Sequence, residues 1–484
     1  MSGFDHTWTH RAVSRITAGR PWNVGYGWGC GLPWGAAGKG YDLRKGYKRR
    51  ITSSQIIIMG FAGVILLGAM LLWLPVSRRA GAEVTFLDSL FTAVSAVCVT
   101  GLVVHDTATT WSAFGQAVIL LLIQIGGMGV ITVAASFAMI SGKRISLMQR
   151  STMQEAISAP AVGGIVRLTG FIIKSTMVME LAGAVVMAPV FVRDFGVRGL
   201  WMAVFHSISA FCNAGFDLLG TRSRFSSLTA YTGDPVINGA VMFLIIAGGI
   251  GFLTWNDIWV NRFRLHRYRM QSKVILCTTA ILLILPALYF FFCELAGLPL
   301  KERVLGSLFQ AVTPRTAGFN TVDLGAISEP GWFVIIALML IGGSPGSTAG
   351  GMKTTTAAVL TAAAAATFCR KEHPHFFGRR ICDDVVRNAS TILLMYTVLF
   401  WAGGLALSVL EGLPMSVCLF ESASAIGTVG LTLGITPGLG TASRIILILL
   451  MFFGRVGGLT LIFAVLSGKR KEVCMLPKEN ITVG

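Results

Sequence analysis

The chain of 484 residues is 54% hydrophobic and only 13% charged, with a mean hydropathy of +0.71. Those figures exclude a soluble globular domain and mark an integral membrane protein whose surrounding partner is lipid. The formal net charge of +18 reports topology and not a nucleic-acid ligand, because the basic residues are sorted by side. Of the 40 Lys and Arg, 27 fall before Ile51 and within 143–167, 262–273, 370–387 and 469–478. Ten lie on the opposite side of the apolar segments: Arg78, Arg79, Arg193, Arg198, Arg222, Arg224, Lys301, Arg303, Arg315 and Arg444. Lys174, Lys353 and Arg455 fall inside those segments. The positive-inside rule then predicts a multi-pass protein with both termini cytoplasmic.

Residues 1–50 are rich in Gly, Trp and basic side chains and contain no apolar run, so they read as a basic cytoplasmic extension and not a secretory signal. Gly25-x-Gly27-x-Gly29-x-Gly31 follows no strand and opens no helix, which fails the context test for a nucleotide loop. An apolar run from about Thr52 to Leu74, closed by Pro75, is long enough to cross outward. Asp88 to Val97 is apolar but too short for about 30 Å of hydrocarbon. It is expected to enter from outside and return through a glycine loop, after which Ser112 to Ile140 crosses back.

The same order recurs with spans near 168–192 and 236–260, 274–297 and 331–365, and 388–410 and 441–467. The expected fold is therefore an all-α integral membrane protein of eight spans and four re-entrant loops, pseudo-fourfold about one pore. Its repeats are placed at 51–141, 165–261, 273–368 and 387–468, followed by a cytoplasmic tail at 469–484.

Four glycines mark the loops: Gly101, Gly215, Gly318 and Gly430, spaced 114, 103 and 112 residues apart. Each follows a pattern Phe-x-x-x-Ser/Thr, as Phe91/Ser95, Phe205/Ser209, Phe309/Thr313 and Phe420/Ser424. In the fourth loop Gly430 is assigned the backbone role and Gly427 an easing of the turn. Each inward span carries a second glycine cluster, 25, 33, 24 and 24 residues further on: Gly126-Gly127-Met128-Gly129, Gly248-Gly249-Ile250-Gly251, Gly342-Gly343-Ser344 and Gly454-Arg455-Val456-Gly457-Gly458. Glycines so placed serve close helix packing.

Two departures from this pattern are candidates for gating. Arg455 takes the place of Gly127, Gly249 and Gly343, and an arginine in mid-span normally faces the bundle interior or a water-filled cavity. In the third inward span, 342–354 replaces apolar residues with Gly342, Gly343, Pro345, Gly346, Gly350, Gly351 and Lys353. Irregular backbone survives at membrane depth only where protein buries it or water reaches it. Met352 separates Gly351 from Lys353, so the segment is no phosphate loop, and no organic cofactor is expected.

A cation entering hydrocarbon must exchange its hydration shell for oxygen dipoles, which rings of backbone carbonyls supply. Glycine permits the positive φ that aims carbonyls at a pore, and the re-entrant helices would direct their negative ends there too. Asp106, Asp217 and Asp323 follow three of the loops, either as local compensation for the outer basic residues or as ordinary loop carboxylates. Enzyme chemistry is not encoded: there is no His-Glu-x-x-His, and Glu180 and Glu421 are isolated, the latter placed to stabilise a re-entrant helix start. Cys98 and Cys212 read as small packing residues, and the nine cysteines show no Cys-x-x-Cys.

Val99-Thr100-Gly101-Leu102, Asn213-Ala214-Gly215-Phe216, Arg315-Thr316-Ala317-Gly318-Phe319 and Gly427-Thr428-Val429-Gly430-Leu431 resemble the four filter loops of the Trk/Ktr/HKT superfamily of potassium-uptake proteins. The break at 342–354 and Arg455 resemble that family's intramembrane gating loop and pore-facing arginine. With a single span ahead of the first loop, the chain resembles the Ktr-type membrane subunit, of the KtrB or KtrD kind. The resemblance covers about Ile51 to Gly484 and leaves 1–50 unexplained. It implies a bacterial plasma-membrane protein that takes up potassium, with sodium as a possible regulator. It also implies a homodimer seated on a cytoplasmic, KtrA-like ring of nucleotide-binding subunits. In plant relatives a serine in the first loop accompanies sodium permeation, so Gly101 implies potassium preference.

Overall fold

A computed structural model describes residues 52–140, 146–157, 164–262 and 264–466. The extension at 1–50, the tail at 469–484, and Lys143 and Arg144 lie outside the described residues. The described chain is helical apart from one short hairpin, in which His375 pairs with Arg380 and Phe376 with Arg379.

Four long helices run unbroken, at Ser53–Trp73, Ile165–Phe195, Met270–Glu294 and Asp383–Glu411. They match the four segments that the sequence reading names outward spans. The first begins with a capping box, in which Thr52 and Gln55 satisfy each other's backbone N–H groups, and it stops before Pro75. Each is followed by a short helix: Phe86–Val97, Arg198–Phe211, Leu300–Val312 and Met415–Gly427. At 12 to 14 residues none can cross a bilayer. Phe91, Phe205, Phe309 and Phe420, the aromatic half of the repeated motif, are each 0% exposed and anchor these short helices in one core.

The first, second and fourth inward spans correct the sequence reading, while the third is interrupted in the stretch already read as irregular. None is a continuous helix; each breaks at its glycine cluster. Ala113–Met128 and Val130–Ser136 meet at 97°, and Pro235–Gly249 and Phe252–Asn261 at 98°. Thr441–Val456 gives way to Gly458–Leu466, and the third splits into Glu329–Leu340 and Thr354–Phe368 with 13 residues of loop between. The cause in three of them is one glycine: Gly129, Gly251 and Gly457 hold φ of 86°, 88° and 86°, values that L side chains adopt only with strain. Hydropathy averages over such a residue and cannot register the bend.

A helix at Leu147–Ile157, which the sequence reading lacks, packs on the first outward helix through Ser54 Oγ donating to Glu155 Oε1 at 2.7 Å.

Candidate functional site

The four loop glycines come together in a ring. All four have positive φ: Gly101 93°, Gly215 70°, Gly318 77° and Gly430 93°. A Cβ added to Gly101 would lie 2.5 Å from Ala214 O, one on Gly215 would lie 2.8 Å from Ala317 O, and one on Gly318 would lie 2.5 Å from Val429 O. A Cβ on Gly430 would overlap Thr100 O, which closes the circle. Loops distant by about a hundred residues thus pack in cyclic order, glycine against the carbonyl that precedes the next glycine. A side chain at any of the four would collide with its neighbour's backbone, so glycine is required twice, by φ and by space.

The residue two before each glycine is also left-handed: Val99 at 57°, Asn213 at 60°, Thr316 at 69° and Thr428 at 51°. Four non-glycine residues in a costly conformation at equivalent places are held by the repeated hydroxyl. Ser95 Oγ accepts from Gly101 N at 3.1 Å and Ser424 Oγ from Gly430 N at 3.0 Å, whereas Ser209 Oγ donates to Phe216 O at 2.8 Å and Thr313 Oγ1 to Phe319 O. The Ser/Thr that the sequence showed only as a recurrence fastens each loop to its own short helix.

The second glycine clusters press on the ring's supports. A Cβ on Gly126, Gly248 or Gly454 would strike the carbonyl of Val97, Phe211 or Ile426, at the end of the short helix of the same repeat. In the third repeat Gly342 faces Gly350 O instead. The loop that fills this place, 342–353, is tied to its neighbours by the second repeat: Gly249 O accepts from Ser344 N at 2.9 Å, Gly248 O from Thr348 N at 3.2 Å, and Phe211 O from Thr348 Oγ1 at 3.0 Å. Gly454 O of the fourth repeat accepts from Gly351 N at 3.3 Å, and Gly350 lies so close to Thr428 that a Cβ would overlap its hydroxyl. Gly343 packs on Ala349, and Gly346 holds φ of 65° beside Ile157 O.

Arg455 joins the repeats at this level. Its Nη1 donates to Thr348 O of the loop, and its Nη2 to Gly126 O and, at 3.3 Å, Gly127 O of the first repeat. The sequence-predicted gating residues thus meet in one place. Lys353 Nζ donates back to Ala349 O at 2.9 Å and Gly350 O at 3.3 Å, tightening the loop on itself. Against the loop lies a cavity of about 320 Å³ whose lining includes Gly127, Glu155, Lys353, Tyr396 and Arg455.

Several sequence readings change. Glu421 is not at a helix start: it lies within Met415–Gly427, fully buried, accepting from Thr436 Oγ1. Glu180 is not isolated, since Oε2 accepts from Gln124 Nε2 at 3.2 Å and Oε1 from Cys212 Sγ at 3.8 Å. Gly427 does more than ease a turn, because a Cβ there would strike Met339 O of the third inward helix. Asp106 and Asp323 cap turns, accepting from Thr109 N and Gly325 N at 2.9 Å each, and Asp217 accepts from Leu219 N at 2.9 Å. Arg315, counted with the outer cations, is buried at 4% exposure. Cys98 and Cys212 are buried free thiols, as a packing role requires. Among the described residues no cluster of His, Cys, Asp and Glu is arranged for a metal ion.

One contact had no sequence signal. Arg444 Nη1 lies 2.6 Å from Asp88 Oδ1, and His105 Nε2 lies 3.3 Å from Asp88 Oδ2. Separated by 356 positions, the ion pair closes the seam between the fourth and first repeats.

Comparison with known proteins agrees with this geometry. The family model described as "TrkH: Cation transport protein" matches residues 43–471. The potassium/sodium uptake protein NtpJ of Enterococcus hirae is 39% identical over 91% of this chain and 99% of its own length. The Ktr system potassium uptake protein B of Bacillus subtilis is 38% identical over 88% and 95%, and protein D of that organism is 32% identical over 90% and 98%. The crystal structure of the potassium transporter TrkH from Vibrio parahaemolyticus has the same fold, with a TM-score of 0.69 at 19% identity over 88% of this chain and 86% of that one. The chain belongs to the TrkH family of cation transport proteins.

Proposed function

We propose that this chain is the pore-forming membrane subunit of a Ktr-type system that takes up potassium through one gated pore. The observation that carries the reading is the cyclic closure of the glycine loops, Gly101 on Ala214, Gly215 on Ala317, Gly318 on Val429 and Gly430 on Thr100. A closed ring of carbonyls of this kind replaces the hydration shell of a monovalent cation. Three residues from each loop form the proposed filter: 99–101, 213–215, 316–318 and 428–430. The membrane potential, at about 2.3 kcal/mol per charge per 100 mV, drives entry without covalent chemistry in this chain. The loop 342–354, with Lys353 and Arg455, forms the proposed gate, since its bonds reach the second, fourth and first repeats at once.

The resemblance to Ktr proteins B and D extends the reading to a homodimer in a bacterial plasma membrane, termini inward, seated on a nucleotide-binding ring. Sodium stays in the reading because the relative at 39% identity is named for potassium and sodium. The test is growth at low potassium of cells lacking their own uptake systems, expressing this chain with and without a Ktr-type regulatory subunit, in sodium and sodium-free media. Rescue is expected with both present; no rescue in any medium, with the protein in the membrane, would refute potassium uptake.

A further inference from the structure

The third glycine loop differs from the other three in charge at one place. Directly before the left-handed residues Val99, Asn213, Thr316 and Thr428 stand Cys98, Cys212, Arg315 and Gly427. All four are buried. Three are small and neutral, and the fourth carries a charge that cannot be removed by deprotonation. Nε and Nη2 of Arg315 have no hydrogen-bond partner, and among the described residues no carboxylate pairs with it. A buried guanidinium without a carboxylate opposes folding, so its presence calls for a role that neutral residues in the other loops do not supply.

Its position indicates that role. Arg315 follows the helix Leu300–Val312 and its cap Thr313, and donates its own N–H to Val312 O at 3.2 Å. The last carbonyls of that helix form a negative pole. The third repeat alone places a buried cation three positions past the last residue of its short helix. Arg315 stands three positions before Gly318, which keeps its Cα within about 10 Å of that glycine, and a charge buried this deeply is poorly screened.

We infer that Arg315 is an affinity-setting residue: its fixed charge weakens the hold of the glycine ring on potassium and makes the fourfold field unequal, so that a bound ion leaves readily. A conducting site must bind well enough to admit an ion and weakly enough to release it. The inference rests on the proposed potassium function.

Two readouts on the full chain, one purified and one in cells, separate this role from a structural one. The first is the potassium concentration giving half-maximal thermal stabilisation in detergent, which reports binding without gating. The second is the KM and maximal rate of rubidium uptake in potassium-uptake-deficient cells that also express a Ktr-type regulatory subunit. Arg315→Gln is expected to lower both half-saturating concentrations about tenfold and to reduce the maximal rate, with Arg315→Lys restoring the wild-type values. Half-saturation within twofold of wild type in Arg315→Gln, or a rise, overturns the inference. If Arg315→Gln does not fold, Arg315→Met gives the same reading. If neither folds, a shift beyond threefold in Arg315→Lys overturns it, and retention of the wild-type value supports it. Absence of potassium-dependent stabilisation and of rubidium uptake in the wild type would instead sink the proposed function, and this inference with it.

Discussion

The ring of loop glycines and the cluster around Arg455 belong to the same four repeats, yet one is nearly symmetric and the other is not. At the ring, each repeat contributes the same parts: a positive-φ glycine, a left-handed residue two before it, and a hydroxyl one turn back. At the second level, three repeats press a glycine on their own short helix, while the third inserts a loop and the fourth an arginine. An ion on an axis needs equal dipoles around it, which favours equal parts. A gate needs one element that can move relative to the rest, which favours an unequal one. The loop at 342–353 is held by backbone hydrogen bonds and a few side-chain donors, with Met352 as its one large apolar side chain in the core.

The contrast can be broken most severely at the ring. Gly430→Ala places a Cβ against Thr100 O at a φ of 93°, adding roughly 1–3 kcal/mol of strain where no neighbour can yield. Rubidium uptake is expected to fall at least about tenfold, and uptake close to wild type would show that the ring is not the path. Next comes the asymmetric level. Arg455→Ala removes charge-assisted bonds to the loop and to the first repeat, each contributing about 1.5–3 kcal/mol. Vesicles holding the variant without a regulatory partner are expected to leak rubidium several-fold faster; an unchanged flux removes Arg455 from the gate.

A smaller effect is expected at the seam between repeats. Asp88→Asn leaves Arg444 without its carboxylate, and the apparent melting temperature in detergent should drop by roughly 3 °C with the potassium-to-sodium permeability ratio intact. A changed ratio would mean that the seam also shapes the ring. The mildest test is Ser424→Ala, which strips the acceptor from Gly430 N at a cost of about 1 kcal/mol. It should lower the permeability ratio modestly, by less than Gly430→Ala lowers flux. An equal loss would place the hydroxyl in the ion path and not behind it.

How much was legible varies by residue for physical reasons. Gly101, Gly215, Gly318 and Gly430 could be found because a backbone requirement admits one residue type and therefore leaves a mark. Arg455 was visible because a cation in an apolar span is costly. Glu180 looked isolated because its partners Gln124 and Cys212 are 56 and 32 positions away. The bends at Gly129, Gly251 and Gly457 were missed because a glycine in an apolar run fits close packing and a break equally well.

The sequence alone determined the membrane character, the fourfold recurrence and the identity of the loop glycines, since apolar length and glycine's freedom at positive φ are local properties. Only the tertiary structure decided that the loops close in cyclic order and that the inward spans bend. It also revealed that Asp88 meets Arg444 and that Arg315 is buried without a carboxylate. Those are facts about which distant segments share space, and chain-local chemistry permits many arrangements where packing selects one.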